Sequence, residues 1–195
     1  MTRRNITLAL VGLAVLVGLL GFGMSRGAFD PPRPPGPGGD FTLVDQSGKA
    51  VTQDILKGKW TAVFFGFTYC PDVCPTTMGV LGQAQGLLGP KAKDFQVLFI
   101  SVDPQRDNPE TLRVYLDNES FPKGTIGLTG SKDQVAVAAK AYRVFFEKSG
   151  SGSDYLVNHS TAVYLMNPKG QFAKVLPFGI GPDEIARQIS DAMRP

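Results

Sequence analysis

The chain has 195 residues and a formal charge of +3, with two cysteines and one histidine. That length suits one well-buried core and is short for two. The excess charge lies before residue 40, where four Arg face one Asp; residues 40–195 hold 16 basic and 16 acidic side chains, a balance that gives no argument for nucleic acid as a partner.

Ile6 to Met24 is apolar and uncharged, about the length that crosses a hydrocarbon core of roughly 30 Å. It follows the short basic tail Thr2-Arg3-Arg4. A cleaved signal peptide has a shorter apolar core, about 7–15 residues, with small residues before the cut. Here Arg26-Gly27-Ala28 puts a bulky cation at the wrong place. One uncleaved transmembrane helix is therefore expected within residues 1–24, its tail cytoplasmic and the rest of the chain on the other side. Asp30 to Gly39 is rich in proline and glycine, so residues 25–39 read as a stiff tether. Residues 40–195 are then one exported domain.

Within it, Phe41 to Val44 and Lys49 to Thr52 flank Asp45-Gln46-Ser47-Gly48, the pattern of a β-hairpin. Trp60 to Phe67, Gln96 to Val102 and Thr161 to Met166 are apolar, β-branched runs of the kind that become strands covered on both faces. Helical spacing lies between them: Met78, Leu81, Leu87 and Leu88, then Leu112, Tyr115 and Leu116 behind the cap Asn108-Pro109, then Val135, Ala138, Tyr142 and Phe145. A weak strand is expected near Thr125 to Leu128. Asn167 to Gly170 turns the chain into Gln171 to Leu176, and Gly181-Pro182 opens a last helix with Ile185, Ile189 and Met193. A hairpin followed by βαβα, a weak strand, a helix and ββα fits an α/β sandwich of thioredoxin type.

Cys70 and Cys74 both precede proline, which pushes a residue toward extended geometry. Cys74 is thus expected to cap a helix with Pro75 in its first turn, and Cys70 to lie on the loop before it. Unpaired N–H groups and the positive end of the helix stabilise a thiolate there, improving it as nucleophile and as metal ligand. A structural disulfide is the competing reading, but so small a loop constrains little chain entropy. Two thiols with an imidazole suit a soft or borderline metal, and two thiols alone make a redox pair. Redox motifs of thioredoxin type have two residues between the cysteines and this chain has three, a spacing that lets both sulfurs face one ion without forbidding a disulfide.

His159 leads into the run Thr161 to Met166. If that strand is parallel to Trp60 to Phe67, the histidine lies at the far end of the sheet from Cys70. If it is antiparallel, as the turn at Asn167 to Gly170 permits, the histidine lies beside the cysteines. A hydrogen-bonded histidine with no metal is the competing reading, and the pattern leaves the choice open.

The blocks Gly58-Lys59-Trp60, Phe65-Gly66-Phe67-Thr68-x-Cys70-Pro71-Asp72-Val73-Cys74-Pro75, Ser101-Val102-Asp103-Pro104-x-Arg106-Asp107-x-Pro109-Glu110, and His159-Ser160 with Tyr164-Leu165 resemble the Sco/SenC family. They span most of residues 58–170. The resemblance implies that Cys70, Cys74 and His159 converge on one copper ion, Cu(I) or Cu(II). It also implies that an anchored, exported thioredoxin-like domain passes copper from an upstream donor to the copper-bearing subunit of cytochrome c oxidase. Asp103 matches a family residue near the metal, where a carboxylate serves as weak fourth ligand, hydrogen-bond acceptor or proton acceptor; as a turn residue before Pro104 it needs no such role. Two positions depart from the pattern: Asn158 stands for the usual Asp, removing a charge that would tune the imidazole, and Asn108 stands for Thr, an equally good cap.

The same ligands leave other chemistries open. A thiol–disulfide oxidoreductase that reduces the acceptor's cysteines needs only Cys70 and Cys74. A Cys₂His zinc site has the right donors but no nearby base beyond Asp103. Peroxidase chemistry fits the cysteine spacing worst. The lack of an Arg/Ser-rich transit segment favours a bacterial inner membrane, with the domain in the periplasm.

Overall fold

The computed structural model describes residues 36–194. The Ile6 to Met24 segment and most of the tether lie outside them, and among the described residues no helix is long and apolar enough to cross a membrane. The end of the tether packs on the domain. Gly38 N–H donates to the Ala141 carbonyl at 2.9 Å, and a Cβ on Gly36 would come within 2.6 Å of the Phe172 ring.

The opening hairpin forms as expected, from β1 (Thr42–Asp45) and β2 (Ala50–Thr52). Asp45 Oδ1 shapes the turn by accepting from the N–H groups of Ser47 (2.8 Å) and Lys49 (3.0 Å), while Gly48 takes a φ of 84°. The long apolar runs become β3 (Trp60–Gly66) and β4 (Phe95–Ser101), parallel and side by side, and β5 (Ile126–Thr129) extends the parallel set. Adjacent residues of a strand face opposite ways, so β3 needs cover on both sides. Phe64 packs on its neighbour Phe99, which meets Tyr115; Phe65, pointing the other way, meets Tyr142. Helices therefore flank both faces, the layering expected of a thioredoxin-type sandwich.

The helices are α1 (Val73–Leu87), α2 (Pro109–Leu116), α3 (Lys132–Ala141) and α4 (Pro182–Ala192). Asn108 caps α2 through its side chain, accepting from Thr111 N–H at 2.9 Å. Helical spacing ran on to Phe145, but α3 stops at Ala141: Arg143 has a φ of 57° and Phe145 is 60% exposed. The chain then makes a hairpin that its sequence did not announce, β6 (Phe146–Ser149) with β7 (Leu156–His159), a two-stranded sheet separate from the main one. Its strands are short and largely exposed, so they lack the apolar alternation by which a strand is recognised. β8 (Val163–Met166) and β9 (Phe172–Leu176) complete a seven-stranded sheet of order β2-β1-β5-β4-β3-β8-β9. β8 runs antiparallel to β3, with Val163 opposite Phe64 and Met166 opposite Thr61, so the start of β8 lies beside the end of β3.

Candidate metal centre

The chain leaves β3 at Gly66 and enters α1 at Val73, with Cys70 on the loop between. Cys74 was expected to cap the helix; instead Asp72 is the cap and Cys74 lies in the first turn. Pro75 permits this because the N–H groups of a first turn have no carbonyl to reach, so the missing donor costs nothing there. Asp72 makes no side-chain capping bond to the backbone. Cys70 supplies that interaction: Cys74 N–H points at Cys70 Sγ, 3.4 Å away, so the sulfur sits at the positive end of the helix.

Cys74 is fully buried and Cys70 partly exposed; both are free thiols. Gly66 makes room for the buried sulfur. A Cβ at that position would lie 3.0 Å from Cys74 Sγ and 2.9 Å from the Phe99 ring. Any larger residue would push the two apart.

His159 ends β7, and the antiparallel pairing of β8 with β3 resolves where it goes: beside the cysteines. Its Nε2 lies 3.4 Å from Cys74 Sγ. Its Nδ1 lies 2.9 Å from the Ser160 carbonyl. A carbonyl only accepts, so Nδ1 carries the proton and Nε2 turns its lone pair to the sulfurs. The ring stands edge-on to Phe67 and Phe64, with centroids 5.8 and 6.1 Å away. Strand alternation sends the neighbouring Asn158 outward, where it is exposed opposite Glu147. The expected influence of residue 158 on the imidazole therefore has no contact to act through.

One ligand atom from each of Cys70, Cys74 and His159 falls within 4.8 Å of the others, and among the described residues this is the group of such side chains able to hold a metal ion. Asp103 is not in it. Its carboxylate is buried and engaged on both sides, Oδ2 with Arg106 Nε at 2.5 Å and Oδ1 with the Tyr155 hydroxyl at 2.7 Å. A second carboxylate, part of the block Ser101 to Glu110 but given no role from the sequence, supports the loop. Asp107, wholly buried, accepts from Thr68 N–H (3.0 Å), Thr68 Oγ1 (2.6 Å) and Ser101 Oγ (2.6 Å). It thereby ties the cysteine loop to the end of β4. Burial pushes its carboxyl pKa up, against the pull of those donors.

Residues 30–194 match the SCO1/SenC family model. The chain belongs to the SCO1/SenC family. The human mitochondrial protein SCO2 homolog is 40% identical over 160 residues, 80% of this chain and 58% of that one. The crystal structure of Arabidopsis thaliana ScoI with copper bound superposes with a TM-score of 0.75 at 38% identity, covering 80% of this chain and 98% of that one. BsSco, a member of the Sco family of cytochrome c oxidase assembly proteins in which a disulfide switch was identified, superposes at 0.65 with 25% identity over 84% of this chain and 95% of that one. The chain spans only about half the length of several curated relatives, 58% of the human protein and 41% of the Arabidopsis thaliana SCO1 homolog 1.

In this SCO1/SenC chain the two sulfurs share a proton unequally. The hydrogen bond from Cys74, aided by the N–H groups of Asp72 and Cys74, lowers Cys70 to a pKa of about 5 against the opposing effect of burial. The same bond, with burial, raises Cys74. At neutral pH the partly exposed sulfur is thus the thiolate and the buried one the thiol. Alkylation of the reduced, metal-free chain by iodoacetamide should therefore begin at Cys70. Since the folded pKa is depressed, the rate should hold as pH falls from about 8 and halve only near the pKa of about 5. An ordinary thiol profile, falling below about pH 8.5, would contradict the assignment.

Proposed function

We propose that this chain is a membrane-anchored copper chaperone that binds one copper ion through Cys70, Cys74 and His159. It delivers that ion to the copper-bearing subunit of cytochrome c oxidase. The observation that carries the reading is the convergence of two sulfurs and an imidazole nitrogen, its lone pair turned to the sulfurs, within 4.8 Å. Two thiolates and one imidazole suit Cu(I) in a low-coordinate site, and Cu(II) with an added oxygen donor. Copper is cargo here, and the site is built to release it. Cys74 lies at the base, while Cys70 and His159 are partly exposed. An acceptor thiolate approaching from solvent displaces the outer ligands first and Cys74 last. Loading from a donor requires the shared proton to leave Cys74, so copper uptake releases protons.

Titration of the reduced chain tests this: one copper per chain is expected, with thiolate-to-Cu(II) charge-transfer absorption when Cu(II) is used. No binding, or a clear preference for zinc, would sink the proposal. The Ile6 to Met24 segment holds the domain on the periplasmic side of a bacterial inner membrane. The mature protein should then keep its N-terminus and sediment with membranes; a soluble product beginning after residue 24 would refute the anchor.

A second reading rests on the unequal thiols. Cys70 thiolate attacks a disulfide in the acceptor, forming a mixed disulfide and releasing one acceptor thiolate. Cys74, losing its proton, then attacks Cys70 Sγ, freeing the second acceptor thiolate and leaving a Cys70–Cys74 disulfide for an external reductant to reset. The disulfide switch of BsSco is consistent with such a pair. The two roles use the same sulfurs and differ in their need for His159.

A further inference from the structure

The cysteines and the histidine reach the centre on different supports. Cys70 and Cys74 ride on the junction of β3 and α1, inside the main sheet and its helix layer. His159 rides on β7, which among the described residues pairs with β6 and not with the seven-stranded sheet. The pairing of β8 with β3 brings this end of β7 beside the cysteines, and how the β6–β7 hairpin docks then sets where the imidazole sits.

Val157 packs into the core, and the β4–α2 loop supplies the polar part of that docking. Tyr155, on the loop leading into β7, is buried and donates its hydroxyl to Asp103 Oδ1 at 2.7 Å. Arg106 Nη1 donates to the Ser153 carbonyl at 3.2 Å, and Arg106 Nε is paired with Asp103 Oδ2. The guanidinium lies 3.7 Å from the centroid of Tyr155, on the hairpin side, and 4.6 Å from that of Tyr69, the residue next to Cys70. One cation is stacked between the aromatic ring of each support. Among the described residues its Nη2 is buried with no hydrogen-bond partner, so stacking, the Asp103 pair and the Ser153 carbonyl hold the group.

We propose that Asp103, Arg106 and Tyr155 form a latch that positions His159 by clamping the β6–β7 hairpin to the cysteine loop. Asp103 is a positioning residue, not a ligand, since both its oxygens serve the latch. The consequence for metal binding rests on the copper reading above. A docked hairpin presents Nε2 to the sulfurs before the ion arrives. An undocked one binds only from the fraction of molecules in which the hairpin is closed, and its affinity falls by that fraction. Cu(II), which depends on the imidazole, is more sensitive than Cu(I), which two thiolates hold.

Tyr155→Phe in the full chain removes one hydroxyl and keeps the ring. Expected are a loss of about tenfold in Cu(II) affinity, the size typical when a residue behind a ligand is removed, and a smaller change for Cu(I). The nitrogen hyperfine pattern of bound Cu(II) should weaken alongside. In a His159→Ala background the same substitution should change Cu(II) affinity no further, because the latch then has nothing to position. Wild-type affinity in Tyr155→Phe, or an equal loss with and without His159, would overturn the latch. A readout without metal separates this from failure of the copper reading. Backbone amides of residues 156–159 should exchange faster in metal-free Tyr155→Phe than in wild type, with those of α1 unchanged, and equal exchange at 156–159 would overturn the latch whatever the chain binds.

Discussion

Cys70→Ala and Cys74→Ala are each expected to abolish the thiolate-to-Cu(II) absorption and to weaken Cu(I) binding by two orders of magnitude or more. Thiolate sites bind structural metals with about 10–16 kcal/mol over four ligands, so one ligand is worth about 3 kcal/mol, roughly a hundredfold. The two variants should differ in stability. Cys74 is fully buried beside Gly66 and Phe99, so truncation leaves a small cavity and costs about 1 kcal/mol, whereas partly exposed Cys70 leaves none. They should also differ in the thiol that remains. The hydrogen bond between the sulfurs is the largest cause of both pKa shifts, so Cys74→Ala should return Cys70 toward an ordinary thiol and slow its alkylation at pH 7. Competitive copper titration, thermal melts and alkylation rates read these effects. A Cys74→Ala variant that keeps the absorption would show that the buried sulfur is not a ligand.

His159→Ala should separate the two proposed roles. The Cys74 hydrogen bond and the N–H groups of Asp72 and Cys74 are the larger causes that lower Cys70, so removing the imidazole leaves a thiolate able to attack a disulfide. Cu(II) binding loses its nitrogen donor and should fall by about the same single-ligand value, near a hundredfold, with Cu(I) affected less. In cells with limiting copper the variant should fail to mature the oxidase, while the purified protein exchanges disulfides at nearly the wild-type rate. Full oxidase assembly by His159→Ala would favour the reductase reading; wild-type Cu(II) affinity would make the histidine structural. Asn158→Asp should leave Cu(II) affinity unchanged, since that side chain is exposed on the outward face of β7.

Elements with strong local signals stand where their residues indicated. β3 and β4 are unbroken apolar runs because both faces are covered, and such runs need no partner to be recognised. The Asp45 turn and the Asn108 cap act within four residues of themselves. The β6–β7 hairpin had no such mark. Tyr155 and Val157 are buried, but the exposed Leu156 between them blurs the apolar–polar contrast of a strand, and the hairpin's polar contacts go to an arginine and an aspartate about fifty positions upstream. Cys74 is in the helix although a following proline disfavours that geometry locally; Pro75 in the first turn forfeits no hydrogen bond, so the helix start can include both.

The sequence by itself determined the donors: two thiols and one imidazole are the chain's whole supply of such groups, and three intervening residues with a following proline put the thiols at a helix start. Only the tertiary structure decided that the third donor joins them. The antiparallel pairing of β8 with β3 brings residue 159 to residue 74, a separation of 85 positions that no local pattern encodes. The same packing engages Asp103 with Arg106 and Tyr155 and leaves Asp107 to anchor the cysteine loop. A carboxylate's role follows from the donors that surround it when folded, and the ones that separate these two roles, Tyr155 for Asp103 and Thr68 for Asp107, come from distant parts of the chain.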